Sequence, residues 1–269
     1  MKTATPFFKM MASGNDFVVI DNRSGQIRDG IKFAQKACSL HTGIGEDGVL
    51  LFEKSKKADF KMRIINSDGS EAEACGNGFR CIARYAREIQ KYPAEFKFES
   101  LSGLITANIL PANRVKVQLI KPHGFYEDEI QVNGHRLHFA FINTGVPHTV
   151  IFTEGLSKMD VAGLGRAIRF HEEFQPKGTN VNFVEVTGTH DIRVRTYERG
   201  VENETLACGT GSTASSIISA IQGYCKPSVN VKTSGGELLT VDFKIRGKNI
   251  EQVFLEGESH FVYEGKYYA

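Results

Sequence analysis

The stretches EACGNGF at residues 73–79 and LACGTGS at residues 206–212 decide how this chain is organised. We call them the first and the second cysteine nest, because each surrounds one cysteine with small residues. Each nest is followed by apolar residues at helical spacing, so both cysteines are predicted to stand at the start of a helix. The chain thus contains the same local unit twice.

The similarity between the two halves extends beyond the nests. The segment DIRVRTYERGVENETLACGTG at 191–211 repeats the pattern of DFKMRIINSDGSEAEACGNG at 59–78. Farther along, Gly103 in SLSGLIT and Gly236 in TSGGELLT are separated by the same interval as the two cysteines. A repeat that keeps its register over this length indicates an internal duplication into two pseudo-equivalent domains facing each other.

Short alternating stretches predict strands around the two helices, for example FVVID, VLLFE and DFKMRII in the first half. We expect an α+β fold of two pseudo-symmetric domains, each a mostly antiparallel sheet wrapped around a central helix. Pro and Gly interrupt the strand pattern between the halves, which predicts domains 1–121 and 122–269. The first contains the nest of Cys75 and the second that of Cys208, and the C-terminal strand is free to return to the first.

The two predicted central helices differ in charge. From Cys208 to Cys225 the sequence contains no charged residue, which predicts a helix that is buried nearly all round. The helix after the first nest carries Arg80, Arg84 and Arg87 on one side, and we expect that side to keep more contact with water.

Composition and charge exclude several classes of protein. The chain has 269 residues, of which 41% are hydrophobic and 24% charged, and its net charge is only +2. Such a chain is expected to be globular and to lack a basic surface for nucleic acid. Because no apolar run approaches about 18 residues and the N-terminus lacks a signal-peptide core, we expect no membrane association and a cytoplasmic location.

The five cysteines are an odd number, which fits reduced thiols better than a disulfide framework. No pair has C-x-x-C spacing and none lies in a zinc-finger pattern, so no metal site is expected. Core packing is the simplest interpretation of Cys38, Cys81 and Cys225. The duplication of their surroundings favours a function for the two nest cysteines.

A cysteine at the start of a helix has particular chemistry. The first N–H groups of a helix lack intrahelical partners, and together with the helix dipole they stabilise negative charge. They lower the pKa of a thiol from about 8.5 toward neutrality, where it can both take and give a proton. Flanking glycines leave room for a bound carboxylate to reach the same N–H groups.

Two such thiols suit a reaction that removes a proton from one face of a carbon and adds one to the opposite face. Racemisation or epimerisation of an amino acid at its α-carbon is such a reaction. Backbone donors aimed at the substrate carboxylate would stabilise the carbanion, each by about 3 kcal/mol. Nothing in the sequence indicates pyridoxal phosphate, and paired thiols make a cofactor unnecessary, so no cofactor is expected.

The motif GIGEDG at 43–48 matches the glycine pattern of dinucleotide-binding loops, but it follows a helix and precedes a strand. The dinucleotide fingerprint needs the opposite order, and Glu46 and Asp47 would repel a pyrophosphate. We therefore interpret the motif as a turn. The chain also lacks the phosphate-binding loop of nucleotide hydrolases and the nucleophile elbow of α/β-hydrolases.

Several runs, taken in order, resemble the diaminopimelate epimerase family over nearly the whole chain. These runs are ASGNDFVVID, NSDGSEAEACGNGFRC, TGVPH, GTNVNFV and YERGVENETLACGTG. The resemblance implies a cofactor-independent epimerase of lysine and peptidoglycan precursor biosynthesis that converts LL- to meso-2,6-diaminopimelate, with the two-domain fold of that family and a homodimeric assembly. It also implies that Cys75 and Cys208 are the acid/base pair, Cys208 taking the proton of the LL form.

The resemblance further implies which positions contact the substrate. Those expected to bind it are Asn15, Asn66, Gly76, Asn77, Asn180, Glu198, Arg199, Gly209 and Thr210. His148 and Glu198 match residues that adjust the thiols or hold the substrate amine. Chemistry supports the set, because the far end of diaminopimelate is itself an ammonium and a carboxylate, which need amide or carbonyl oxygens and a guanidinium.

Two positions depart from some members of the family. Val146 stands where an asparagine occurs in the G-x-P-H segment, and Gly48 stands where a glutamine follows the aspartate. These departures bear on substrate specificity more than on the type of reaction. Asn143, just upstream, could supply one of the lost amides.

Alternatives remain open at this stage. A related racemase would act on another amino acid such as proline or histidine, but such a substrate has no distal carboxylate for Arg199. A thiol redox switch or binding module would instead join the nest cysteines in a regulatory disulfide. Taken alone, Asn15 and Asn66 are equally typical of turns, and Glu198 with Arg199 of a surface ion pair.

Overall fold

The computed structural model describes residues 4–246 and 249–268. The chain forms two compact units, one built from Met1–Gln118 together with Gly257–Ala269 and the other from Leu119–Glu256. Each unit has its own set of paired strands and its own buried helix.

In the first unit, the helices are α1 (Gly30–Ala37) and α2 (Gly76–Glu88). The strands of this unit are β1 (Ala4–Ala12), β2 (Asn15–Asp21), β3 (Gly48–Glu53), β4 (Phe60–Asn66), β5 (Glu71–Ala72), β6 (Glu95–Ser100), β7 (Gly103–Ile109), β8 (Arg114–Gln118) and the last strand of the chain, β18 (His260–Tyr268).

These strands pair in the order β18–β1–β2–β3–β4–β6–β7–β8, and the short β5 lies beside β4. The pairs are antiparallel except for β2–β3 and β4–β6, which are parallel. Parallel strands need a crossover connection, and here α1 connects the first parallel pair and α2 the second.

In the second unit, the helices are α3 (Val161–Arg169) and α4 (Gly209–Ile221), with short 3-10 helices at Leu156–Lys158 and Glu172–Phe174. The strands of this unit are β9 (His123–Val132), β10 (His135–Asn143), β11 (Pro147–Phe152), β12 (Asn180–Gly188), β13 (Asp191–Glu198), β14 (Asn203–Thr205), β15 (Val229–Lys232), β16 (Leu238–Arg246) and β17 (Asn249–Glu258).

The second unit repeats the first element by element. Its strands pair in the order β9–β10–β11–β12–β13–β15–β16–β17, with β14 beside β13. The parallel pairs are again connected by helices, β11–β12 by α3 and β13–β15 by α4. The predicted duplication and α+β fold are therefore confirmed, and β18 occupies in the first unit the place that β9 has in the second.

Local sequence explains where these elements begin. Asp29 and Asp160 are the N-caps of α1 and α3, and each carboxylate accepts a backbone N–H from the first turn of its helix. Along β6 and β13, buried and exposed residues alternate, as expected for strands with one face on the core. None of the described helices is both long and apolar enough to span a bilayer.

The two central helices pack against their own sheets. The first, α2, contacts β1, β2, β3, β7 and β8, and α4 contacts β10, β11, β12, β13, β15 and β16. The prediction that α4 is buried nearly all round is confirmed. Three of its buried hydroxyls are satisfied within the helix, because Thr213, Ser216 and Ser219 each donate to the carbonyl oxygen four residues earlier.

The expectation that the arginine side of α2 keeps contact with water is wrong for two of its three arginines. Arg80 is 0% exposed and Arg84 is 8% exposed, whereas Arg87 is exposed. The guanidinium of Arg84 donates to the carbonyl oxygen of Ser259 and to Glu88. Burial is tolerated because the guanidinium donors find oxygen acceptors inside the protein.

Close packing of α3 on β13 gives a test of the fold. Gly165 of α3 is buried, and a Cβ at this position would overlap the Cβ of Tyr197. Replacing Gly165 with Val should therefore lower the free energy of unfolding by about 2 kcal/mol, because overpacking forces neighbouring side chains to move. Urea denaturation measures this loss.

Ala162→Val is the matched control, since Ala162 lies on the exposed face of the same helix. It introduces the same side chain without a clash and should cost no more than about 0.7 kcal/mol, the range of helix propensities. Equal losses in the two variants would contradict the packing described for Gly165.

Candidate active site

Cys75 is the N-cap residue of α2. Its backbone is extended, with φ −148° and ψ 108°, and the helix begins at the next residue, Gly76. The N–H of Gly78 points to the sulfur atom, with 3.4 Å between N and Sγ. A side chain at Gly78 would press on Leu50 and Met62, because a Cβ there would lie 3.3 Å from both. The sulfur therefore accepts one of the N–H groups that the first turn leaves without a helical partner.

Cys208 has the equivalent position at the start of α4. Its φ of −130° and ψ of 108° nearly match those of Cys75, and α4 begins at Gly209. The Oγ1 of Thr210 lies 3.5 Å from the sulfur. A Cβ on Gly211 would overlap Oδ1 of Asn182, so glycine is needed for the helix to start this close to β12. The two cysteines thus share the same backbone position and conformation, whereas the contacts of their sulfur atoms differ.

A chain of side-chain hydrogen bonds joins the first nest to the turn between β1 and β2. Asn77 donates to Oδ1 of Asn15 at 2.8 Å, and Asn15 donates to Asp47 at 2.8 Å. Arg80 donates to Oδ1 of Asn77 at 3.0 Å and also to Ser13. Two predicted substrate residues, Asn15 and Asn77, are therefore brought together and held from both ends.

Two salt bridges from Lys9 hold the loop that supplies Asp47. The ammonium of Lys9 lies 2.8 Å from Glu46 and 3.0 Å from Asp16. Burial and the nearby carboxylate of Asp16 raise the pKa of Glu46 to about 7. The loop at 43–47 is neither helix nor strand, so the interpretation of GIGEDG as a turn is confirmed.

Asn66 lies apart from this chain of hydrogen bonds, as the last residue of β4 before the turn to β5. Its backbone N–H donates to the carbonyl oxygen of Ser70 at 2.8 Å, and its side chain donates to the hydroxyl of Ser70 at 2.9 Å. Asn66 pairs across the strands with Gly48, one of the two departing positions. A Cβ on Gly48 would lie 2.8 Å from the carbonyl oxygen of Ile65, so a glutamine there would require the strands to shift.

Asn180 and Arg199 are brought together in the second unit. The backbone N–H of Arg199 donates to Oδ1 of Asn180 at 2.8 Å, and the Asn180 amide donates to the carbonyl oxygen of Pro147 at 3.0 Å. The Arg199 guanidinium donates to the carbonyl oxygen of Lys177 at 2.8 Å. Asn180 is thus held rigidly by backbone groups.

Glu198 lies at the end of β13, where Thr205 donates its hydroxyl proton to the carboxylate at 3.0 Å. At the second departing position, the carbonyl oxygen of Val146 accepts the N–H of Thr144 at 3.2 Å. Asn143 has its Oδ1 engaged by the N–H of Gly145 at 2.8 Å, so this oxygen shapes the turn before β11.

His148 is fully buried in the second unit. Its Nδ1 lies 3.1 Å from the side-chain nitrogen of Asn182. Burial, together with the positive charge of Arg199, lowers the pKa of His148 to about 3. The imidazole is therefore neutral at any pH at which an enzyme of this kind would work.

The other three cysteines pack in the core, as predicted. Cys38, Cys81 and Cys225 are buried free thiols. Burial raises the pKa of Cys38 to about 12 and that of Cys81 to about 12, and it also raises the pKa of Cys225. These thiols are therefore poor sources of thiolate.

Arg80, Asp47 and Asn182 were not predicted from the sequence as parts of the site. Each supports a predicted site residue through a hydrogen bond. For Arg80 the sequence did contain a signal, because it places a positive charge about one turn after the start of the helix that follows the first nest. Asp47 and Asn182 gave none, because their partners lie 32 and 34 positions away in sequence. Among the residues that the structure describes, no three His, Cys, Asp or Glu side chains gather as metal ligands would.

Comparison with known families gives one consistent answer. The family model described as diaminopimelate epimerase matches residues 7–123 and 140–262. The diaminopimelate epimerase of Aquifex aeolicus is 48% identical over 272 residues, covering 97% of this chain and 96% of that protein. That of Methanocella arvoryzae is 40% identical over 279 residues, covering 98% of this chain and 97% of that protein.

Solved structures with the same fold are much less similar in sequence. A PhzF-family phenazine biosynthesis protein of Bacillus anthracis has a TM-score of 0.75 at 15% identity, covering 98% of this chain and 99% of that one. A hydroxyproline epimerase of Agrobacterium vitis, bound to trans-4-hydroxy-L-proline, has a TM-score of 0.73 at 16% identity, covering 99% and 91%. At this identity, the likeness shows the fold alone.

The contrast among the thiols gives a chemical test. Iodoacetamide reacts with thiolates, so brief treatment of the native protein at neutral pH should modify Cys75, which is only half-buried, well before Cys38 or Cys81. Peptide mass spectrometry measures the modified fraction at each cysteine. Protein unfolded in urea is the control and should react at all of them, whereas early modification of Cys81 in the native protein would contradict the assignment.

Proposed function

The chain belongs to the diaminopimelate epimerase family, and we propose that it interconverts LL- and meso-2,6-diaminopimelate with Cys75 and Cys208 as its two proton carriers. It is an isomerase that epimerises an amino acid. The observation that carries the proposal is the pair of equivalent nests, in which a cysteine in extended conformation caps a helix. The two thiols can exchange protons with the α-carbon of a substrate without a cofactor.

The proposed reaction is balanced within the two thiols and the substrate. One thiolate takes the α-proton and becomes a thiol, and the electron pair of the broken C–H bond is delocalised onto the substrate carboxylate. The opposite thiol then gives its proton to the other face of the same carbon and becomes a thiolate. The product therefore leaves the two thiols with their roles exchanged, ready for the reverse reaction. By resemblance to the family, we assign Cys208 as the base for the LL form and Cys75 as the donor.

Backbone donors provide the stabilisation that this reaction needs. The N–H groups of Gly76 and Asn77, and those of Gly209 and Thr210, belong to the first turns of α2 and α4. First-turn N–H groups have no helical partner and favour an anion, so we propose that they hold the reacting carboxylate. As in an oxyanion hole, each contributes about 3 kcal/mol toward the anionic intermediate.

Recognition of the distal end rests on charge complementarity. We propose that Arg199 binds the distal carboxylate, and that Asn15, Asn66, Asn180 and Glu198 supply oxygens to ammonium groups. The backbone N–H of Arg199 donates to Oδ1 of Asn180 at 2.8 Å, so the amide of Asn180 is held beside the backbone of Arg199. A racemase for proline or histidine would have no use for a guanidinium here.

The mechanism predicts the fate of single-thiol variants. Cys75→Ala and Cys208→Ala should each lower the rate of epimerisation by at least about 10³-fold, because one face then lacks its proton carrier. The α-hydrogen exchange of LL-diaminopimelate in deuterated water, followed by NMR without added cofactor, measures the loss. Cys225→Ala is the matched control and should retain full activity, since this thiol packs in the core. Full activity of either nest variant would rule out the two-thiol mechanism.

Two further assays separate the alternatives. Turnover of LL-diaminopimelate but not of histidine, proline or lysine supports the proposed substrate, and turnover of proline or histidine alone would favour the related racemase. Activity with and without a reductant tests the redox alternative. An epimerase loses activity when its thiols couple, whereas a disulfide switch needs the oxidised form.

We also propose that the enzyme is a cytoplasmic homodimer. Reducing conditions in the cytoplasm keep nest thiols available. The support for a dimer is the presence of exposed apolar side chains on β18, where Val262 is 51% exposed and Tyr268 is 61% exposed. A strand with exposed apolar side chains is a typical site of self-association.

Sedimentation velocity tests the dimer, which is the expected state of the native protein. Val262→Lys should shift the protein toward the monomer, because it places a charge on the proposed contact. Leu101→Lys, at an apolar residue that is 54% exposed elsewhere in the first unit, is the control and should remain dimeric. A monomeric native protein would refute the proposal.

A further inference from the structure

A chain of buried polar side chains connects three strands of the second unit. Thr196 of β13 donates its hydroxyl proton to Oδ1 of Asn182 at 3.0 Å, and the side-chain nitrogen of Asn182 lies 3.1 Å from Nδ1 of His148. All three side chains are buried. Polar side chains in such surroundings keep a fixed geometry, because any broken hydrogen bond stays unpaired.

The direction of each hydrogen bond follows from its partners. The oxygen of Asn182 faces the hydroxyl of Thr196, so its nitrogen must face His148. That nitrogen carries two protons, and it gives one to the carbonyl oxygen of Thr149 at 3.0 Å. The second is donated to Nδ1 of His148, which therefore acts as an acceptor. In a neutral imidazole, the ring proton must then be on Nε2.

The imidazole of His148 stays neutral near neutral pH. Burial and the Arg199 guanidinium, the charged group that acts on this ring, lower the pKa of His148 to about 3. Nε2 has no hydrogen-bond partner among the described residues. A buried N–H without an acceptor costs about 1–3 kcal/mol, so an acceptor brought to Nε2 by a bound group would remove this cost.

The chain of hydrogen bonds ends among the candidate site residues. Asn182 lies against the first turn of α4, because a Cβ on Gly211 would overlap Oδ1 of Asn182 and lie 3.3 Å from the Cβ of Cys208. His148 is paired in register with Asn180 across β11 and β12. Asn182 thus connects the start of α4 with His148.

We propose that Asn182 is a positioning residue, which holds His148 as the neutral imidazole protonated on Nε2 and makes it a permanent hydrogen-bond donor to an anion in the site. The anion is a substrate carboxylate or a catalytic thiolate. An N–H donor cannot hold an ammonium group, so this assignment removes the substrate amine from the partners expected for His148. The role of the donor rests on the proposed function, whereas the position of the proton does not.

Nitrogen NMR of the wild-type protein tests the position of the proton directly. With ¹⁵N-labelled histidine, His148 should show an unprotonated Nδ1 and a protonated Nε2 at every pH from about 5 to 9. His171 serves as an internal reference, because its Nδ1 also accepts an N–H, that of Glu173 at 3.2 Å. A proton on Nδ1, or an imidazolium at pH 6, would overturn the proposal whether or not diaminopimelate is the substrate.

The same spectra distinguish the two sources of the anion. A change in the Nε2 resonance on adding LL-diaminopimelate to the Cys75→Ala enzyme identifies a substrate carboxylate as the acceptor. A change in the substrate-free enzyme on going from wild type to Cys75→Ala or Cys208→Ala identifies a thiolate. No change in any of these comparisons would refute the role as a donor.

The substitution Asn182→Asp keeps the size of the side chain and reverses the direction of its hydrogen bond with Nδ1 of His148. A carboxylate accepts from Nδ1, so the neutral imidazole of the variant carries its proton there and leaves Nε2 bare. The value of kcat at neutral pH should fall by about 10²-fold, the usual effect of losing one donor to a developing anion. Lower pH protonates His148 and returns a proton to Nε2, so kcat of the variant should rise as the pH falls while that of the wild type does not.

Two comparisons make this outcome specific. Asn133→Asp places the same charge on an exposed turn of the second unit and should leave kcat and its pH profile unchanged. Asn182→Ala removes the constraint without reversing it, and it should lower kcat without the recovery at low pH. Equal, pH-independent losses in Asn182→Asp and Asn182→Ala would mean that Asn182 only supports the fold, and would refute the proposal.

Discussion

The site depends on one constraint of helix geometry, which is that the first N–H groups of a helix have no partner inside it. In this protein the residue before each central helix is a cysteine in extended conformation, so each sulfur belongs to the residue at which the unpartnered N–H groups begin, and the sulfur of Cys75 accepts one of them. Proline or a bulky residue in the first turn would remove donors or block access. The glycines of both nests follow from this requirement, since Gly78 and Gly211 lie where a Cβ would meet neighbouring atoms.

The sheets fix the positions at which the two central helices begin. In each unit a short strand leads directly into the nest, and the helix that follows is enclosed by strands of its own sheet. A helix covered on nearly all sides cannot rotate or shift without breaking the core. Buried hydrogen bonds then fix the side chains near each nest, Asn77 with Asn15 and Arg80 in the first unit and Asn182 with His148 in the second. Stability and positioning are therefore supplied by the same contacts.

Much of this could be predicted from sequence, because the repeat and the helix starts are local patterns. The duplication, the strands around it and the packing of Cys38 and Cys81 needed only periodicity and composition. Burial of Arg80 and Arg84 could not be predicted, since their acceptors, Ser13 and Ser259, lie 67 and 175 positions away along the chain. Arginines on one face of a helix usually indicate that this face is exposed to solvent. Only the fold shows that oxygen acceptors lie beside Arg80 and Arg84. The tautomer of His148 likewise depends on Asn182 and Thr196, which no local pattern relates to it.

The duplicated units are alike in backbone but unlike in charge, and this difference bears on the reaction. The buried guanidinium of Arg80 contacts the first turn of α2, whereas α4 carries only uncharged side chains and the uncharged amide of Asn182 lies against its first turn. In the proposed mechanism one nest holds a thiolate while the other holds a thiol, and the two exchange roles when the direction of the reaction is reversed. The duplicated backbone supplies the same helix start to both cysteines. Because the side chains around the two helix starts differ, a substitution beside one nest can change the surroundings of one sulfur without changing those of the other.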